Sequence, residues 1–183
     1  MDMPHRKDIR LKNYDYSRNG AYFVTICTKH KQHYFWDYSK PVGGDAHIAP
    51  NINENNNITT PLPFELSNIG RILKRHIENI NGIKKYVIMP NHIHLIIKIE
   101  NDYTNHDGAM WASPPTQSLP KLIRSLKILV TKEAGFSPWQ RNYYDHIIRN
   151  DKELSRIWQY IESNPENWEN DELFINENIK KEK

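Results

Sequence analysis

Along residues 92–99, HIHLIIKI, side chains alternate between two faces: Ile93, Leu95, Ile97 and Ile99 share one face of an extended strand, and His92 and His94 share the other. The preceding segment, Lys84 to Met89, is also apolar and β-branched, and the turn residues Pro90 and Asn91 separate the two. An antiparallel hairpin is therefore expected. Gly20 to Lys29, GAYFVTICTK, predicts another strand, and Tyr143 to Ile148 a short one. Three stretches follow the helical period instead. Ser67 or Asn68 can cap a helix bearing Ile69, Ile72, Leu73, His76, Ile77 and Ile80, with Gly82 placed to end it. Leu119 to Val130 is basic and amphipathic, with Leu122, Leu126 and Ile128 or Leu129 at helical spacing. Asn150 and Glu153 form a capping-box pattern that opens a last helix, striped by Leu154, Ile157, Trp158 and Ile161 and ended by Pro165. Residues 40–66 and 101–118 lack periodicity and predict polar surface loops.

The order strand, helix, strand, strand, helix, strand, helix predicts an α+β fold. Its form is a ferredoxin-like or RRM-like antiparallel sheet with helices on one face and an extra C-terminal helix. We divide the chain of 183 residues into one domain over 1–170, with polar insertions at about 40–66 and 101–118, and a charged tail over 171–183. The single cysteine, Cys27, excludes an internal disulfide and a zinc ribbon. No run approaches the roughly 18 apolar residues of a membrane span, and the basic N-terminus lacks a signal peptide's apolar stretch. A cytoplasmic protein with no membrane partner is expected.

Net charge is only +3, but it is unevenly spread. Residues 1–32 carry seven basic and three acidic side chains, interleaved with Tyr14, Tyr16, Tyr22 and Phe23. Residues 118–152 again carry seven against three, with Trp139, Tyr143 and Tyr144 among them, and beyond Lys152 acidic residues dominate. Cations bind phosphate and rings stack on unpaired bases, so this mixture suits single-stranded nucleic acid as well as it suits a solvated surface.

His92 and His94 offer two neutral nitrogens that can reach one divalent ion, though two ligands do not fill a coordination sphere. HExxH and CxxC are absent. In RIWQYIESNP, Tyr160 and Asn164 lie one helical turn apart at the edge of the apolar stripe. Spacing alone leaves two readings open: a packed tyrosine followed by a helix cap, or a hydroxyl and an amide presented to a cleft. Trp139, Gln140 and Arg141 precede a strand in a segment suited to stacking and phosphate contact. Tyr144 is a core or base-stacking residue, and His146 and Arg149 are candidates for phosphate.

YVIMPNHIHLI, WQRNYYDHIIRNDKEL and YIESNP, together with the opening IRLKNYDYSRNGAYFVTICT, resemble the REP-associated tyrosine transposases, relatives of the single-tyrosine insertion-sequence transposases. The resemblance runs from about Ile9 to Trp168, apart from the two polar loops. It implies that His92-Ile93-His94 is the HUH motif, that Tyr160 is the nucleophile and that Asn164 is the third metal ligand, with both histidines facing the cleft. It further implies an Mg²⁺ or Mn²⁺ cofactor and a 5′-phosphotyrosine intermediate. The partner implied is single-stranded DNA at repetitive extragenic palindromic hairpins, bound by a monomer rather than a dimer. It places Arg10, Lys12 and Tyr14 near that DNA. The competing expectation is a hairpin-binding protein of the same fold without strand transfer. An RRM-like RNA module fits less well, because the histidine strand carries Ile and Leu where stacking rings would sit.

Overall fold

A computed structural model describes residues 14–42, 51–52, 58–59, 63–101 and 117–175. Eight strands and three α-helices follow in chain order: β1 (Gly20–Cys27), β2 (Trp36–Pro41), β3 (Asn51–Ile52), β4 (Ile58–Thr59), β5 (Phe64–Leu66), α1 (Asn68–Glu78), β6 (Ile83–Ile88), β7 (His92–Ile99), α2 (Leu119–Ala134), β8 (Tyr144–Ile148) and α3 (Asp151–Ser163). The main sheet has the order β6-β7-β1-β8, and every neighbouring pair in it is antiparallel. With α1 and α2 as crossovers, this is the ferredoxin-like β-α-β-β-α-β arrangement.

Register decides what each face carries. Thr25 pairs with His94, Cys27 with His92 and Val87 with His94, so these side chains lie on one face. Ile93, Leu95, Ile97 and Ile99 turn to the other face and are buried, as the alternation predicts. That second face is covered by α1 and α2: Tyr86 donates its hydroxyl to Glu78 of α1 at 2.8 Å, and α1 and α2 pack on each other. The extra helix α3 lies over the histidine face. Its Glu162 carboxylate stands 2.8 Å from Nζ of Lys85, a fully buried lysine of β6.

Capping chemistry accounts for the helix ends. The Ser67 hydroxyl accepts the Gly70 N–H, and Asn150 Oδ1 accepts the Glu153 N–H, at 3.0 and 2.9 Å. Glu153 departs from a simple capping box, since its carboxylate accepts the Arg149 N–H instead of reaching Asn150.

Three expectations are corrected. Gly82 does not end α1, which stops at Glu78 with Asn79 as its cap. At φ +98° Gly82 makes the turn into β6, and its carbonyl accepts the Lys98 N–H at 2.7 Å. The second helix continues past Val130 to Ala134, where Gly135, at φ +78°, supplies the left-handed cap. Residues 40–66 are not wholly irregular. The β2–β5 pair borders them, and β3 pairs with β4 inside them. This pairing escapes pattern reading because it depends on a remote anchor: the buried Trp36 indole donates to the Ile88 carbonyl at 2.7 Å.

Candidate active site

The hairpin turn before β7 is buried and tied down, which fixes where the histidines start. Met89 N–H donates to the His92 carbonyl, Phe35 N–H to the Pro90 carbonyl and Thr28 N–H to the Asn91 carbonyl. Asn91 does more than turn the chain. Its amide donates to the Leu173 carbonyl at 2.9 Å, which leaves Oδ1 to accept the His92 Nδ1–H at 2.8 Å. The His92 Nε2 lone pair then points at Nε2 of His94, 3.0 Å away. Nδ1 of His94 is paired with the Thr25 hydroxyl at 2.8 Å. Both outer nitrogens are thus held by neighbours while both Nε2 atoms converge on one point, the arrangement by which histidine ligands are oriented toward a metal. Burial, with a smaller push from Lys31, lowers the His92 pKa to about 3. Burial and the neighbouring His92 hold that of His94 well below its usual value. Each imidazole is therefore neutral at physiological pH, the form that binds metal.

Two further groups close on this point. Asn164, at the C-terminal end of α3, is 3 % exposed, and its Oδ1 is a buried oxygen with no hydrogen-bond partner, an uncommon and costly state. Its amide nitrogen donates to Oδ2 of Asp171 at 3.1 Å, and that same oxygen lies 4.0 Å from His92 Nε2. Asp171 follows a single helical turn, Trp168–Asn170, and its other oxygen accepts the Leu173 N–H at 2.6 Å. Among the described residues, His92, His94 and Asp171 form a group that can hold a metal ion. An orphaned amide oxygen beside two neutral imidazoles and a carboxylate is a donor set that fits a divalent cation. Cys27, opposite His92 in register, does not join it: burial pushes its thiol up, away from the thiolate that binds metal.

Tyr160 lies one turn before Asn164, 44 % exposed, with its hydroxyl 3.4 Å from His94 Nε2 and its ring edge-on to Phe23. Burial and then the Asp171 charge push its pKa up to about 12, while the Asn164 amide acts in the opposite direction. A cleft of about 580 Å³ opens in front of it, bordered by Phe23, Thr25, His94, Tyr144 and Asp171. Only His94 of the histidine pair borders this cleft. His92, expected to face it, lies fully buried behind it with the Trp168 ring beside it.

The remaining sequence candidates are dispersed. Tyr144 is half exposed on the cleft wall. Arg141 and Arg149 are exposed, and Arg141 borders a separate groove along α2. Trp139 is a core aromatic, 6 % exposed, packed on Phe35 and donating to the Lys127 carbonyl, with only a small part of it reaching the groove along α2. Tyr14 clusters with Tyr16 and Tyr22 on the α1/α2 side of the sheet, away from Tyr160. Arg10 and Lys12 lie outside the described residues. Sequence reasoning missed Asn91 and Thr25, which orient the histidines, and it assigned Asp171 to the tail. The signal for Asn91 was a polar residue directly before His92, whereas Thr25 meets His94 only through the pairing of β1 with β7.

The chain is thus a ferredoxin-like α+β protein with a paired-histidine centre facing a helical tyrosine. No family model matches it. An uncharacterized protein of Haemophilus influenzae is 35 % identical over 190 residues, covering 93 % of this chain and 94 % of that protein. A "Putative REP-associated tyrosine transposase" of the same organism is 34 % identical over 80 residues, 43 % of this chain and 46 % of that protein. Among solved structures, a REP-associated tyrosine transposase bound to a REP hairpin aligns over 87 % of this chain and 74 % of that chain, with a TM-score of 0.48 and 16 % identity. A "putative transposase" from Deinococcus radiodurans aligns over 84 % and 95 %, with a TM-score of 0.37 and 15 % identity. The chain belongs to one family with the first Haemophilus protein, and the second relative bears out its resemblance to the REP-associated tyrosine transposases.

Proposed function

We propose that the protein is a metal-dependent single-stranded DNA transposase or nickase that cleaves and rejoins strands at repeat hairpins. The observation that carries this is the approach of the Tyr160 hydroxyl to His94 beside the unpartnered Asn164 oxygen. In the reaction the Tyr160 oxygen attacks a backbone phosphorus and the bond from phosphorus to the 3′ oxygen breaks. The phenol gives up its proton and the departing 3′ oxygen gains one, leaving a 5′-phosphotyrosine and a free 3′-hydroxyl. Attack of a 3′-hydroxyl on that phosphotyrosine rejoins a strand. His92, His94, Asn164 and Asp171 would hold the ion, Mg²⁺ or Mn²⁺, which when bound supplies Lewis-acid polarisation of the phosphate. Exposed Tyr144, Arg141 and Arg149 are the DNA contacts we favour, with the protein acting as a monomer.

The test is a covalent protein–DNA band formed with Mn²⁺ and single-stranded oligonucleotides that carry host repeat hairpins. The band should vanish in Tyr160→Phe, and its survival would assign the nucleophile elsewhere. The second reading is hairpin binding without strand transfer, in which Tyr160, its hydroxyl pKa pushed up by burial and the Asp171 charge, stays a protonated phenol. Hairpin binding by the wild type with no band for any substrate would establish that reading.

A further inference from the structure

Beside Tyr160 the sheet and α3 border a further open hollow of about 390 Å³, which adjoins the main cleft and shares Phe23, Tyr144 and Tyr160 with it, the Phe23 ring stacking on His94 on the cleft side. Its walls are Phe23 of β1, Tyr144 and His146 of β8, and Arg156, Ile157 and Tyr160 of α3. Volumes of roughly 300–1,000 Å³ are those of small-molecule sites. Register explains how the rings meet. Thr25 pairs with Tyr144 and Phe23 with His146, so Phe23 and Tyr144 are diagonal neighbours on the same face of adjacent strands. Tyr144 is 50 % exposed although it lies in a sheet otherwise rich in buried apolar residues.

The charge in this hollow comes from α3. Arg156 lies one turn before Tyr160, as Asn164 lies one turn after it, so one helical stripe carries a cation, the tyrosine and the amide in succession. Arg156 is exposed. His146 is oriented by Glu153, whose carboxylate can only accept. Nε2 of the ring therefore donates at 2.7 Å, and the ring is held as part of the wall. Backbone and histidine hydrogen bonds keep the Glu153 carboxyl below its usual range, so it stays ionised and holds the ring at neutral pH.

We propose that this hollow is a single-nucleotide subsite. One unstacked base lies against the Phe23 and Tyr144 rings, and a backbone phosphate of that nucleotide meets Arg156. Rings accept a base only when it is out of a duplex, and a guanidinium matches a phosphate, so the occupant is a nucleotide of a single strand. The inference rests on the DNA-processing function proposed above and adds to it: the residue beside the reacting phosphate is held unpaired by groups that neither ligate metal nor react.

An abasic scan tests this. Fluorescein-labelled single strands, with and without a hairpin, carry one abasic position at a time and are titrated in EDTA with the full chain. The wild type should lose about five- to hundredfold in affinity at one position. Tyr144→Leu should bind the intact strand more weakly by a similar factor and become insensitive to that position, and Tyr144→Phe should restore both. Arg156→Gln should lower the slope of log affinity against log salt by about one unit. All three variants should keep the wild-type rise in melting temperature with Mn²⁺. An abasic profile unchanged in Tyr144→Leu overturns the subsite even if the strand binds. Loss of the Mn²⁺ response also overturns it, by assigning these residues to the metal centre. Failure of the wild type to bind any single strand removes the proposed function, and the subsite with it.

Discussion

The hydroxyl of Tyr160 stands 3.4 Å from Nε2 of His94, and 66 residues of chain separate them. Two anchors produce this approach. His94 is fixed from β1 by Thr25, and α3 is fixed to β6 by the Lys85–Glu162 pair. Glu162 and Tyr160 project from different sides of the helix, so seating one against β6 directs the other toward the histidines.

Metal binding should depend on the residues that orient the histidines as well as on the ligands. Mn²⁺ at about a hundred times its dissociation constant should stabilise the wild type by about 2.7 kcal/mol. His92→Ala and His94→Ala should abolish the accompanying rise in melting temperature. Asn91→Ala should weaken Mn²⁺ binding by about ten- to a hundredfold in calorimetric titration, because it frees the His92 ring to choose the other tautomer. Wild-type affinity in Asn91→Ala would show that the turn asparagine is only a turn.

Acid should destabilise the metal-free protein through the same histidines. In the unfolded chain His92 takes up its proton near pH 6.5, whereas burial in the fold delays this to about pH 3. The unfolded state therefore binds more protons throughout that window. The contribution is fully present above about pH 6.5 and is lost progressively as pH falls toward 3. His94, lowered by the same burial, adds in the same direction. Melting temperature should decline with falling pH more steeply in the wild type than in a His92→Gln/His94→Gln double variant, and parallel declines would contradict this account.

The Lys85–Glu162 pair should respond asymmetrically. Lys85 is fully buried, with the Trp158 ring 4.9 Å from its Nζ, while the Glu162 side chain is 40 % exposed. Removing the carboxylate in Glu162→Leu should cost about 2 kcal/mol, below the roughly 3–5 kcal/mol of breaking a wholly buried pair because of that exposure. Lys85→Met leaves a carboxylate that water can reach, and it should cost less. Urea unfolding of both variants orders them, and the reverse order would mean that Lys85 acts through packing rather than charge.

Gly70→Ala should destabilise the protein by about 1–3 kcal/mol. A methyl group at this buried position of α1 would collide with the Phe35 carbonyl oxygen and crowd Leu66. Phe35 O also accepts the Ser67 N–H just before the helix, so the helix N-terminus would have to move away from its anchor. An unchanged melting temperature would show that the 35–36 segment yields freely.

Local periodicities belong to the sequence itself, and they account for most of the main sheet and for all three α-helices. A period of two puts His92 and His94 on one face, and a period of 3.6 puts Arg156, Tyr160 and Asn164 on one stripe. Those relationships need no tertiary structure. Distances between elements do, since no period in β7 encodes where α3 will lie. Asp171 shows the difference most clearly: in sequence it opens an acidic tail, yet its carboxylate is 5 % exposed because Asn164 and the Leu173 N–H receive it beside His92. Trp139 shows the converse, an aromatic beside an arginine that turns inward once Phe35 and the Lys127 carbonyl are there to meet it. The sequence by itself determined the elements and the faces their side chains occupy. Only the tertiary structure decided which polar atoms are hydrogen-bonded and which, like Asn164 Oδ1, are left without a partner, because partners remote in the chain supply those bonds.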